Sequence, residues 1–201
     1  MSTSPQMRSG VSLEAFLRMP EIDEEAPYLE YIDGRIEAKA MPSRKHLLIS
    51  EGFARRFADF ARPAGLGLAG MEIRHTFAGR SILPDAEFQL AENVGVDPDG
   101  TPSNFVPIPP DIHIEVISPD QSVKKTHAKL LFSLMHGCPL GIMVHPENRT
   151  IDVYRPNRPP ERLADDGAID FAPVLPGLVV AAVEVFGWMV VRLRKPGAEP
   201  A

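Results

Sequence analysis

The chain holds a single cysteine, Cys138, in 201 residues. No disulfide can close within it, so nothing in the fold needs an oxidising compartment, and a cytoplasmic location is expected. Cys138 lies between Gly137 and Pro139 in an apolar stretch and reads as a small buried hydrophobe. Long apolar runs are missing as well. None approaches the ~18 residues that cross a bilayer, so no membrane partner is expected. The first ten residues are polar and have no apolar centre, so no secretory signal is expected there. An excess of positive charge is also lacking: 21 Lys and Arg stand against 27 Asp and Glu, a net charge of −6. A basic footprint is the usual mark of a nucleic-acid binder. Tight, non-specific DNA binding is therefore disfavoured, and only a locally basic cleft would serve. His75, His113, His136 and His145 show no zinc-ligand spacing. There are no internal repeats.

What is present suits one domain. Apolar residues make up 44% of the chain and charged residues 24%, enough for a real core. Residues 11–194 are expected to form that domain, with a disordered N-terminus at 1–10 and a disordered tail at 195–201. Residues 11–19 read as a short helix with Ser12 as N-cap. A hairpin follows over 28–38, turning at Asp33-Gly34, a strong hairpin signal between alternating runs. The period then becomes helical over 43–62. Ile49, Phe53, Phe57 and Phe60 share one face of that helix, and Pro63 and Gly65 end it. Strand-like runs occupy 70–77 and 81–90, around a turn at Gly79. Residues 91–110 form a loop longer than most structureless connections. A strand over 112–117 precedes a helix over 121–136 that Gly137 closes. Strands at 140–144 and 150–154 flank a turn at 145–149. A proline-rich crossing at 155–160 and a final strand and helical turn within 172–186 complete the pattern. Helices interleaved with strands give an α/β or α+β fold around a mixed sheet.

Two carboxylates stand out. Asp85 follows Pro84 at the head of an apolar-alternating run, and Glu115 lies inside Ile112-His113-Ile114-Glu115-Val116-Ile117. A carboxylate within such a run is costly unless something compensates it. A divalent metal ion would do so, and Mg2+ (or Mn2+) prefers oxygen ligands of this kind. Phosphodiester hydrolysis needs such an ion, an activated water and a positive group beside the phosphate, so a lysine is sought. In many nucleases it lies two residues after the second acid. That position is Ile117 here, which leaves Lys124, Lys125 and Lys129 on the next helix. Glu72, on the run before Asp85, is a further candidate acid. Lys129 falls about 140° from the centre of an apolar stripe of Val123, His127, Leu130, Leu131 and Leu134, the position of a surface lysine, although Phe132 lies on the same side. His127 and His46 read as core or cleft-edge histidines rather than ligands. Arg44, Lys45, Arg55 and Arg56 read as a solvated helix face.

Several short motifs recur in order: Ile32-Asp33-Gly34, Pro84-Asp85, Pro110-Asp111, Glu115-Val116, Ser118-Pro119, Ala128-Lys129-Leu130, Gly137, Leu140-Gly141, Pro146-Glu147-Asn148-Arg149-Thr150, Val153-Tyr154-Arg155-Pro156 and Pro173-Val174-Leu175-Pro176-Gly177. With them the chain resembles the Uma-type endonucleases, a former domain of unknown function in the PD-(D/E)XK nuclease superfamily. The resemblance runs over about 28–188. It implies a restriction-endonuclease-like core, with a central mixed sheet flanked by helices and the N-terminal hairpin. It implies Asp85 and Glu115 as metal ligands, and a lysine moved from the strand to the following helix at Lys129. The chain departs from the pattern where similar proteins carry an aspartate (here Lys125), a tyrosine (here Ser133) and Trp-Leu-Ile-Asp-Pro (here Ile142-Met143-Val144-His145-Pro146).

The leading expectation is a Mg2+-dependent endonuclease acting on DNA through Asp85, Glu115, Lys129 and Glu72. A homodimer is expected, because cutting both strands favours two sites related by a two-fold axis. The alternatives are a catalytically degenerate nuclease fold that binds DNA or a protein, and a hydrolase of small phosphate esters.

Overall fold

The computed structural model describes residues 8–19, 28–39, 41–119 and 121–191. Of the segments expected to be disordered, residues 1–7 and 195–201 lie outside these, whereas Arg8 and Ser9, expected in the disordered N-terminus at 1–10, are in a strand. Arg8–Ser9 form a short strand, β1, against the hairpin. Helix α1 (Leu13–Leu17) starts at Ser12, whose hydroxyl accepts the Ala15 N–H at 3.1 Å. The hairpin pairs β2 (Leu29–Ile32) with β3 (Arg35–Ala38). Its turn residues Asp33 and Gly34 have φ of 50° and 79°, a left-handed pair that Asp-Gly adopts readily. Helix α2 (Arg44–Ala61) is capped by Ser43 and ends where Pro63 enters a 3₁₀ turn.

Then come β4 (Gly67–Gly70), β5 (His75–Phe77), β6 (Arg80–Ile82), β7 (Ala86–Leu90), β8 (Ile112–Val116), α3 (Val123–Met135), β9 (Leu140–His145), β10 (Thr150–Tyr154), β11 (Glu161–Leu163), β12 (Ala168–Asp170), β13 (Val179–Ala181) and α4 (Ala182–Gly187). Six strands form a mixed sheet in the order β11-β10-β9-β8-β7-β4. Only β8 and β9 run parallel, the pair that α3 connects. A second, antiparallel sheet has the order β1-β3-β2-β6-β5, and β12 pairs with β13.

The runs expected as single strands at 70–77 and 81–90 are each divided between the two sheets. The first splits into β4 and β5, the second into β6 and β7. Both cross at bends. Glu72 takes the first bend with a left-handed φ of 55°, so it sits on a bend, not a strand. In the second, Pro84 has no N–H to give a ladder. The Glu72 N–H donates to the Pro84 carbonyl at 3.1 Å, so the two crossings lie side by side.

Strand alternation divides β7 and β8 by face. Ala86, Phe88, Ile112, Ile114 and Val116 join Ile49, Phe53 and Phe57 of α2 in the main core. Phe57 meets Phe88 and Phe171 edge-on, with ring centres 5.9 and 5.0 Å apart. Glu87, Gln89, His113 and Glu115 belong to the other face, also buried, under α3 and the second sheet.

Helix α3 corrects the single apolar stripe. Val123 is 44% exposed and Leu131 38%, whereas Thr126, Lys129, Phe132 and Ser133 are buried. The helix lies in the angle between the two sheets. Leu130 and Leu134 pack with Met143 and Tyr154, Phe132 packs with Phe77 and Ile82, and Lys129 lies between those contacts. Two apolar partners bury an arc of roughly 200°, so a lysine far from one stripe faces the seam instead of solvent.

Candidate active site

The crossings bring a buried group of charges to the seam between the sheets. The Asp85 N–H donates to the Ile114 carbonyl at 3.1 Å, and its Oδ2 accepts the Val116 N–H at 2.7 Å. Asp85 therefore grips the strand on both sides of Glu115. Its Oδ1 accepts from the Lys39 ammonium at 2.6 Å, and His46 Nε2 stands 3.3 Å away. Lys39 also donates to Glu72 Oε2 at 2.7 Å and to the Leu83 carbonyl at 2.8 Å. On the α3 side, Lys129 Nζ lies 2.7 Å from Glu115 Oε1 and 2.8 Å from Glu30 Oε1. The same Glu30 oxygen accepts the Leu83 N–H at 2.8 Å. His113 bridges Glu115 Oε1 and Ser133 Oγ, each at 2.8 Å.

All four residues selected from the sequence thus reach this seam. Lys129 contacts Glu115 directly, and Glu72 joins Asp85 through Lys39. Three residues that the sequence reading did not place there complete the group: Lys39, Glu30 and His46. His46 was read as a core or cleft-edge histidine. Among the described residues, one ligand atom each from His46, Glu72 and Asp85 lies within 4.8 Å of the others. Glu115 stands outside that trio, beside Lys129. Glu30 carried the same signal as Glu115, an acid within an apolar-alternating run. Lys39 has no local signal, since its partners come from distant segments.

The electrostatics follow from burial. Glu115 is fully buried and its pKa is pushed up to about 8 by desolvation, with Asp85 adding to the rise and Lys129 opposing it. Its Oε2 has no hydrogen-bond partner. Burial also works against ionisation of Asp85, but Lys39 and then His46 hold its pKa well below the usual range. Glu72 is raised, by burial first, with Lys39 opposing. Glu30 is lowered, because Lys129 and Lys39 outweigh desolvation. Desolvation disfavours charge on both lysines, yet the surrounding carboxylates hold each above its ordinary value: Asp85 foremost for Lys39, Glu115 foremost for Lys129. His113 is driven down to about 3 by burial and then by Lys129, so it is neutral at physiological pH.

A cleft of about 260 Å³ opens onto this group. Glu30, Glu37, Lys39, Lys125, Thr126 and Lys129 line it, and the first turn of α3 forms part of its rim. It is a local concentration of lysines in an acidic chain. Lys125, which stands where the resemblance expects an acid, pairs with Glu37 at 2.8 Å. His145, the other such position, is 3.0 Å from Asp152.

A mixed sheet flanked by helices, with acids from adjoining strands at a lysine-lined cleft, defines a nuclease-like α/β protein. The chain belongs to the Uma2 family, described as "Putative restriction endonuclease", whose sequence profile matches residues 13–184. Among solved structures it is similar to "a putative nuclease belonging to DUF820" from Anabaena variabilis. The two share 30% sequence identity and a TM-score of 0.85, over 90% of this chain and 99% of that one. No curated protein matches. Among the described residues, no helix is long and apolar enough to cross a membrane.

Proposed function

We propose that this chain is a divalent-metal-dependent endonuclease that hydrolyses DNA phosphodiester bonds at the seam between its sheets. The observation that carries this reading is Glu115. It is a fully buried carboxylate with one oxygen unpartnered, on the strand that Asp85 grips. An unpaired buried oxygen is expensive unless a cation completes it. The donors beside it fit a hard ion: carboxylate oxygens of Asp85 and Glu72 suit Mg2+ or Mn2+, the imidazole of His46 is a tolerable neighbour, and Glu115 stands next to this trio.

When bound, such an ion neutralises phosphate oxygens and lowers the pKa of its water. The chain's own residues supply the rest. Glu30 and Glu115 hold the Lys129 ammonium at the cleft, where its charge stabilises the phosphorane as negative charge develops. Neutral His113 is hydrogen-bonded through Nε2 to Glu115 and through Nδ1 to Ser133, which fixes the Glu115 side chain. The lysines lining the cleft and the N–H groups of the first turn of α3 attract the phosphate backbone. Cleavage of both strands would need two copies, so a homodimer belongs to this reading, and sedimentation in the presence of DNA tests it.

A second reading, a nuclease fold that binds DNA without cutting it, is favoured by one observation: Lys39 already neutralises Asp85 and Glu72. One experiment separates the two. Protein is incubated with plasmid, oligonucleotides and a small phosphodiester plus Mg2+ or Mn2+, beside Asp85→Ala and Glu115→Ala. The proposal expects metal-dependent DNA cleavage lost in both variants. Cleavage that survives both substitutions would sink it. Salt-sensitive DNA binding without cleavage supports the second reading, and turnover of the small ester alone points to a phosphoesterase.

A further inference from the structure

Lys39 is surrounded as a metal ion would be. Its ammonium lies within 2.6–2.8 Å of three oxygens of different origin: Asp85 Oδ1, Glu72 Oε2 and the backbone carbonyl of Leu83. Two carboxylates and a carbonyl form the kind of hard-oxygen set that takes Mg2+ or Mn2+. Glu115 also acts on Lys39, as its second largest electrostatic partner after Asp85. The side chain is nine-tenths buried, at 9% exposure, so the ammonium is held inside the seam and not on its surface.

Each part of the cradle has its own structural origin. The left-handed bend at Glu72 and the crossing at Pro84 turn the carboxylate and the Leu83 carbonyl toward one point. Asp85 cannot turn away without losing its bond to the Val116 N–H. Lys39, by contrast, stands just past the end of β3 on a long side chain, beside the cleft that it helps to line. The oxygens are fixed and the ammonium is tethered by a flexible stem, so the ammonium is the part that can leave.

We propose that Asp85 Oδ1, Glu72 Oε2 and the Leu83 carbonyl form a divalent-cation position that Lys39 fills as a tethered substitute, so that metal and ammonium compete for it. This rests on the metal-dependent reading above and adds to it a competing lysine and a backbone ligand. Two like charges cannot share the cradle at close range. Binding of the ion therefore expels the Lys39 ammonium toward the cleft, where a phosphate oxygen is its natural new partner. The competition weakens metal binding in the resting protein and couples it to the arrival of an anion.

The test is metal affinity, read without any turnover. Free Mn2+ is measured by electron paramagnetic resonance during titration of the wild-type protein, Lys39→Met, Lys39→Gln and the double variant Lys39→Met/Asp85→Asn. Removing the competing charge should tighten Mn2+ binding by about tenfold or more in both single variants. The double variant should lose that gain. A short double-stranded oligonucleotide should tighten Mn2+ binding to the wild type more than to Lys39→Met. Unchanged or weaker Mn2+ binding by folded Lys39→Met and Lys39→Gln overturns the proposal, and so does a gain that Asp85→Asn leaves intact. If both single variants unfold without metal, recovery of their circular dichroism signal by Mn2+ supports it and failure to recover overturns it. DNA cleavage is assayed separately: tighter Mn2+ binding with no cleavage by any form leaves the cation position standing and removes the nuclease reading.

Discussion

The two faces of the six-stranded sheet use the same strands for opposite ends. Toward α2, β7 and β8 present Ala86, Phe88, Ile112, Ile114 and Val116, and the rings of Phe53, Phe57 and Phe171 close over them. Toward α3, the alternate positions of those strands present Glu87, His113 and Glu115, just as deeply buried. The first face gains stability from area removed from water. The second gives some of that gain up, since each buried ion must be matched by a partner to be tolerated at all. Folding tolerates the seam because the apolar face stabilises the sheet that carries it. The lesson is a division by strand parity: alternate positions of one strand feed the apolar core and the buried charge cluster separately.

The sharpest way to break that division is from the apolar side. Phe57→Ala removes a fully buried ring in contact with three others. It should cost about 3–5 kcal/mol in urea unfolding. Whatever fraction stays folded should keep its Mn2+ affinity. A large change in metal affinity at equal folded fraction would show that the two faces are coupled. The matching change on the polar side is Glu115→Gln, which keeps shape and removes the ability to ionise. DNA cleavage should fall at least ~100-fold, while the unfolding midpoint should move far less than for Phe57→Ala. Lys129 keeps Glu30 as partner, which limits the structural loss. A collapse of stability as large as that of Phe57→Ala would mean that Glu115 is chiefly a structural ion.

This division also explains what could be read from the sequence. The helices, the hairpin and the acids Asp85 and Glu115 were legible because each has a local pattern: a period, an Asp-Gly turn, a charge inside an apolar run. Lys129 was reached only through family resemblance, and its helix misled the single-stripe reading because two sheets bury it at once. Lys39 and His46 escaped because their roles exist only across long separations; Glu30 had the local signal of Glu115, but its partner lies far along the chain. Lys39 meets Asp85 across 46 residues, and Glu30 meets Lys129 across 99. The split of 70–77 and 81–90 between two sheets was hidden for the same reason. A run of alternating residues fixes strand character, but nothing local says where it changes partners.

Glu87 offers the finest probe of the polar face, because it lies on the seam side of β7 next to the proposed chemistry without sharing in its ion pairs. Its Oε2 has no hydrogen bond, and His75 Nε2, likewise unpartnered, is 3.9 Å away. Burial first, then Asp111, raises its pKa from 4.5 to about 8. His75 is driven down to about 4, mainly by burial, and so is neutral over that range and offers no compensating charge. The sign follows directly. Between about pH 4.5 and pH 8 the folded protein keeps a proton on Glu87 that the unfolded chain has released, so this group's contribution to stability declines as pH rises. Glu87→Gln removes that term while keeping the size of the side chain. Melting temperatures of the two proteins should coincide near pH 4.5 and diverge steadily toward pH 8, with the variant higher by on the order of ten degrees at the alkaline end, the shift that roughly 4 kcal/mol produces in a domain of this size. Parallel melting curves across the range would show that Glu87 is ionised and compensated in the folded protein, and that the polar face carries less electrostatic strain than its burial implies.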